Sequence, residues 1–211
     1  MRSELDFSTD SGGFAPGFRS FPYDSQKVFR LALNAMAHPA TVFEGDFAAL
    51  FAAPPPLFPE GAALLLTLCD YETGIHLSRS LKRAEPWLSF HAGSGMTDPR
   101  EAAFAAFEDI SELPPLREFR WGDERSPELS AILIAGKVLD EDAPKNRPDG
   151  KRLFASGPGI EFPKAMPGTL PEAFVGERED MRKRFPLGVD FFFTGKNKIM
   201  GLPRTTRLWY G

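Results

Sequence analysis

Apolar residues recur at Val28, Leu31, Ala32, Ala35 and Met36, the spacing that lays a single stripe along a helix. A helix is therefore expected over residues 25–37, capped by Asp24 or Ser25 and stopped by Pro39. Residues 40–44 read as a short strand and residues 53–59 as an extended, proline-rich crossing. Residues 57–69 are apolar on every side, the pattern of a buried helix. Short strands are expected at 75–78 and 88–91, a short helix at 114–120, and the clearest strand at 130–139, rich in Ile, Leu and Val. The polar stretch 140–150, with Pro144, Pro148 and Gly150, turns the chain back toward 151–155. Pro171 then starts a charged helix running through 172–184.

Residues 185–206 carry the strongest pattern. Val189, Phe191, Phe192 and Phe193 make a strand apolar on both faces, followed by the polar turn Gly195-Lys196-Asn197-Lys198 and a second apolar run. Pro203 cannot donate to a ladder, so the second strand ends there. The sum is seven or eight short strands with about four helices, with no internal repeat. This predicts an α/β fold, a single domain over residues 24–211 whose mixed central sheet is flanked by helices, behind an N-terminal tail at 1–23. Four phenylalanines, Phe7, Phe14, Phe18 and Phe21, can pin that tail.

Composition narrows the function classes. Twenty Phe against three Tyr points to a dry aromatic core with some surplus for an interface, and a homodimer is expected. A net charge of −4 argues against nucleic acid or a membrane surface as partner. The start of the chain lacks the basic and apolar regions of a signal peptide, and residues 62–69 are too short to cross a bilayer. The lone Cys69 has no disulfide partner, so a cytoplasmic location is expected.

The chemistry-bearing residues are few. His38, His76 and His91 stand far apart, and one cysteine cannot build a structural zinc site, so no metal is expected. No nucleophile elbow, Walker loop or dinucleotide-binding glycine pattern occurs, and no catalytic residue is assigned. Gly157 and Gly159, around Pro158, make a tight turn whose N–H groups can alternatively face an anion. Arg204, Thr205 and Thr206 form the better anion candidate, a guanidinium fork beside two hydroxyls. The competing and favoured reading is structural. Asp190 sits in an otherwise apolar strand and needs a partner, for which Arg204 is the first choice. The helix at 172–184 moves from acid to base along its length, as its dipole favours, and reads as a solvated or interface face.

The stretch Phe185-Pro186-Leu187-Gly188-Val189-Asp190, followed by Leu202-Pro203-Arg204-Thr205-Thr206, resembles the C-terminal signature of the PhnH family. Three upstream blocks are similar and in order: Phe29-Arg30-Leu31 through Met36 and Pro39, Leu64-Leu65-Leu66-Thr67-Leu68 through Asp70, and Ser156 through Ile160. The resemblance covers residues 24–206. It implies a strand at 101–108, where the alanine content by itself favours a helix, and the strand is the expectation adopted. It implies a fold like the large domain of pyridoxal-phosphate-dependent aminotransferases, without the cofactor. It implies a dimer-forming, non-catalytic subunit of the bacterial carbon–phosphorus lyase core complex. With the other subunits, such a protein supports transfer of the ribose triphosphate part of ATP to methylphosphonate, while C–P bond cleavage belongs to an iron–sulfur subunit. The lysines Lys27, Lys82, Lys145, Lys164, Lys196 and Lys198 lie in polar or turn contexts, unlike a Schiff-base lysine, so no cofactor is expected. The alternatives are a self-sufficient enzyme, or a sensor, binding a small phosphorylated metabolite at Arg204-Thr205-Thr206 and the Gly157 turn.

Overall fold

The structure, a computed structural model, describes residues 14–142, 144 and 146–211. The chain runs α1 (Phe21–Ala37), β1 (Phe43–Glu44), α2 (Phe47–Leu50), α3 (Pro59–Leu68), β2 (Ile75–Leu77), α4 (Glu85–Ala92), β3 (Phe104–Phe107) and β4 (Ile132–Ala135). It continues through β5 (Leu153–Gly157), β6 (Ile160–Ala165), α5 (Glu172–Arg182), β7 (Asp190–Gly195), β8 (Lys198–Leu202) and β9 (Arg207–Tyr210), with short 3₁₀ turns between.

Six strands form a mixed sheet in the order β1-β8-β7-β4-β3-β2. Its β2, β3, β4 and β7 are parallel, while β8 runs antiparallel to both β7 and β1. The alternation of a pleated strand explains why β7 and β4 are apolar on both faces. Phe191, Phe193, Leu133 and Ala135 point into one core, Phe192 and Ile134 into another. On the second core lie α1, α3 and α4, through Val28, Ala32, Leu64, Leu65, Trp87 and Leu88. The first is closed by α5, through Phe174, Val175 and Met181, and by a three-stranded antiparallel sheet ordered β6-β5-β9. The sheet is therefore covered on both faces, but by helices on one side and by a helix with a small sheet on the other.

The hairpin forms as its residues dictate. A two-residue turn at Lys196-Asn197 joins β7 to β8, both residues having positive φ (31° and 64°), as a primed turn requires. β8 ends at Leu202, immediately before Pro203. Gly201 lets α1 lie directly on β8, since a Cβ there would run into the α1 backbone at Ala35. Glu60, in the first turn of α3 and only 4% exposed, accepts a hydrogen bond from the Asn197 backbone N–H and so ties the hairpin tip to that helix.

Several expectations need correction. Residues 88–91 are not a strand; they belong to α4, which Pro86 opens and which Gly93, in the left-handed region at φ 73°, closes. A short apolar run carries no period of its own, and here the boundary residues decide. The first helix begins at Phe21, four residues early. Asp24 is not its cap: its carboxylate, inside the first turn, accepts from the Ser20 N–H at 2.9 Å. The charged helix ends at Arg182, and its face is not wholly solvated, because Arg178 is 1% exposed. The described residues contain nine strands and five α-helices, with α2, β6 and β9 unanticipated. The alanine-rich β3 is a strand as expected; Ala105 and Ala106, both fully buried, pack between β2 and β4 where tertiary burial overrides propensity.

Of the expected tail, residues 1–13 lie outside the described residues. Phe14, Ala15 and Gly17 pack on α4: Trp87 Nε1 donates to the Ala15 carbonyl at 2.6 Å, and His91 Nε2 lies 2.9 Å from the same oxygen.

Candidate functional site

The best-defined polar centre lies where the hairpin ends. β7 begins with Asp190, which the parallel register sets beside Ile132 of β4, and the turn after β8 brings Arg204 onto it. The Arg204 backbone N–H donates to Asp190 Oδ1 at 2.6 Å. Its Nε lies 3.2 Å from both carboxylate oxygens, and Nη2 donates to Oδ2 at 2.5 Å. Nη2 also donates to Ser130 Oγ, while Nη1 donates to the carbonyls of Pro127 at 2.9 Å and Pro186 at 3.2 Å. A guanidinium has five N–H groups, and these contacts occupy all of them. The two side chains are 14% and 19% exposed, so the pair is largely withdrawn from water. Chemically, the arrangement locks four chain segments together and leaves no free donor for an incoming phosphate.

Beside it sits Arg178 of α5, whose burial sequence reasoning missed. Its Nη1 donates to the Val189 carbonyl at 3.0 Å, and its Nη2 to the carbonyls of Pro203 at 2.7 Å and Thr206 at 3.3 Å. The guanidinium carbon stands 5.5 Å from the centre of the Phe191 ring. Burial, opposed by the Asp190 carboxylate, pulls its pKa down to about 10, which still leaves it charged at neutral pH. Its Nε and the Thr206 hydroxyl are buried without a partner among the described residues. Nothing in a charged helix that runs from acid to base marks one arginine as the buried one; only the position of three carbonyls at the hairpin's end does so. Glu177 and Glu179 of the same helix are also engaged, accepting from the backbone N–H groups of Leu116 and Leu208.

The remaining predicted site residues are placed as follows. Thr205 and Thr206 follow Arg204 in the turn before β9, and Thr206 is 1% exposed. Gly157 and Gly159 flank the turn between β5 and β6, with φ of 143° and 79°. The structure brings Gly157 against the Thr205–Thr206 backbone, where a Cβ would meet it at 3.3 Å. Gly159 instead abuts the end of α1, its would-be Cβ lying 2.6 Å from the Ala37 carbonyl. The glycine turn is thus packed between two backbone segments.

The carboxyl ends of the parallel strands hold a second polar group. Ser78, just after β2, and Ser80 both donate to Glu112, at 2.6 and 2.7 Å. Lys137, just after β4 and in the left-handed region at φ 61°, donates to Glu108 at 2.7 Å. That hydrogen bond holds the lysine above its ordinary value and the carboxyl below its own. Lys164 moves the other way: burial lowers it, with no carboxylate beside it among the described residues, and it donates to Thr41 Oγ1 at 2.5 Å.

The histidines do not converge. His38 Nδ1 contacts the Asn34 carbonyl, His76 Nδ1 the Thr97 carbonyl, and His91 the Ala15 carbonyl. Among the described residues no three His, Cys, Asp or Glu side chains gather as metal ligands would. Burial pushes the Cys69 thiol well up, away from the reactive thiolate. No described helix is long and apolar enough to cross a membrane.

Comparison with known proteins adds two findings. The sequence profile of the family described as "Bacterial phosphonate metabolism protein (PhnH)" matches residues 16–209, beginning upstream of the start at Asp24 expected from the motifs. The chain is also similar to a protein of Rhizobium meliloti (strain 1021), "Alpha-D-ribose 1-methylphosphonate 5-triphosphate synthase subunit PhnH". The two are 34% identical over 202 residues, which covers 94% of each chain.

Proposed function

The chain belongs to the PhnH family of bacterial phosphonate metabolism proteins, and we propose from this that it is a subunit of alpha-D-ribose 1-methylphosphonate 5-triphosphate synthase in the carbon–phosphorus lyase pathway. The observation that carries the reading is the extent of the likeness: it spans nearly the whole of both chains, so the described fold and its hairpin-end signature fall inside it. The accessory character of the subunit is supported by Arg204. A ligand role for that arginine requires phosphate to displace the Asp190 carboxylate or a backbone carbonyl, since every N–H is already used.

In this reading the chain acts with the other synthase subunits in the cytoplasm and also pairs with a second copy of itself. Phe162 at the β6 edge and Phe185 before β7, both exposed, are available for such contacts. The likeness to the large domain of pyridoxal-phosphate enzymes is supported by four parallel strands under a helical layer.

Reconstitution tests the reading. Synthase subunits supplied with ATP and methylphosphonate should form ribose 1-methylphosphonate 5-triphosphate with this chain present and lose most of that activity without it. Unchanged turnover without the chain would refute the proposal. Calorimetric titration of ATP onto the isolated protein separates off the self-sufficient enzyme. Neither the wild type nor Arg204→Ala should bind, and the variant should melt lower; an unchanged melt with ATP binding abolished would promote the enzyme instead.

A further inference from the structure

The first helix presents more apolar surface than its own fold consumes. It buries Val28, Ala32 and Ala35 in the core, while Phe21, Tyr23, Phe29 and Leu33 remain at least half exposed elsewhere around it. Together with Phe14 they make five of the ten large apolar side chains exposed among the described residues. None of these five lines the groove that α1 forms with α2, and exposed apolar residues outside a defined lining need no account. Between α1 and α2 runs a groove of about 660 Å³, floored by Val28, Leu31, Phe47 and Leu50. Three cations, Arg19, Lys27 and Arg30, stand along it, and none has a carboxylate within ion-pair distance among the described residues. Of the two acids on the groove, Asp24 is buried and accepts from the Ser20 N–H, which leaves only Asp46 facing solvent.

We propose that this groove docks an acidic, amphipathic segment of another subunit of the synthase, an inference that rests on the subunit reading above. An apolar floor with a mainly cationic rim is the form that receives a helix through its apolar face, while the rim selects partners of opposite charge. A second copy fits poorly. A two-fold contact sets each patch on itself, placing Lys27 and Arg30 against the same cations in a protein whose net charge is otherwise negative.

The double variant Lys27→Glu/Arg30→Glu, made in the full chain and co-expressed with the other synthase subunits, tests this. Both side chains are exposed, so the melt should stay close to wild type. Retention of the other subunits should fall roughly tenfold or more, because like charges across an interface are strongly unfavourable. Retention equal to wild type would overturn the groove assignment and leave the subunit reading standing. Failure of the wild type itself to retain the other subunits would overturn that reading and the groove assignment with it. A shift of the isolated variant from dimer to monomer would give the groove to a second copy. Wild-type retention that appears only after removal of residues 2–13 would give it to the chain's own acidic start. Either result overturns the proposal.

Discussion

Replacing Asp190 by Ala should be among the most destabilising single changes on the polar side of this protein. The substitution removes the acceptor for the Arg204 backbone N–H, for Nε and for one Nη2 bond, and leaves the guanidinium charge beside Ser130 Oγ and two carbonyls. Breaking a buried ion pair by removing one partner costs about 3–5 kcal/mol. With side chains 14% and 19% exposed, water reaches part of this pair, which places the loss near the lower end, about 3 kcal/mol. In a protein of this size each kcal/mol moves the melting midpoint by about 2–4 °C, so a drop of about 6–12 °C is expected. The comparison is Asp180→Ala, whose pair with Lys183 is about three-quarters exposed on both sides and screened by water, so its loss should be hard to detect. Glu177 is a poor control because its carboxylate holds the Leu116 N–H at 2.8 Å. Asp190→Asn keeps an acceptor while removing the charge, and should fall between the two. Thermal melts followed by far-UV circular dichroism, with urea titrations to check that the m-value is unchanged, give the differences. Equal midpoints for Asp190→Ala and Asp180→Ala would refute the reasoning, since the pair would then behave as a surface contact.

Other consequences are as direct. Arg178→Lys should cost about 2–3 kcal/mol, because an ammonium cannot reach three carbonyls in one plane and the abandoned acceptors are buried; a melt within 2 °C of wild type would deny the clamp. Gly201→Ala should destabilise by about 1–3 kcal/mol, as its methyl group meets the α1 backbone at Ala35 and the helix must lift, and urea midpoints measure it directly. The Glu108–Lys137 pair carries a pH signature whose sign follows from its shifts. The carboxyl is held below its ordinary 4.5, so the pair's contribution is full above that value and is lost as pH falls through the lower value of the folded state. The difference in stability between wild type and Lys137→Met should therefore be constant above pH 6, at about 0–1 kcal/mol, and vanish in acid; a difference that grows on acidification would contradict the pairing.

The hairpin was legible because each of its parts has a local cause. Three consecutive phenylalanines favour a doubly covered strand, the Lys196-Asn197 turn sets the register, and Pro203 ends the ladder. The partnership of Asp190 with Arg204 also followed from sequence, since an acid in an apolar strand must find a cation and one lies at the end of the returning strand. The α1 stripe and the family signature were readable in the same way, from residues near one another in the chain.

Tertiary structure decided what depends on distant pairing. Residues 88–91 suit a strand or a helix equally, and only Pro86, Gly93 and the packing of Trp87 and Leu88 against the second core select the helix. β9 exists because β5, more than fifty residues earlier, offers it a ladder; four residues at a chain end have no such preference alone. The burial of Arg178 is of the same kind, since carbonyls at Val189, Pro203 and Thr206 converge only once α5 packs on the hairpin. Local sequence sets the backbone's preferences residue by residue, but an unsatisfied buried carbonyl or an open sheet edge comes into being only when separate segments meet. The residues that answer them are chosen by that meeting.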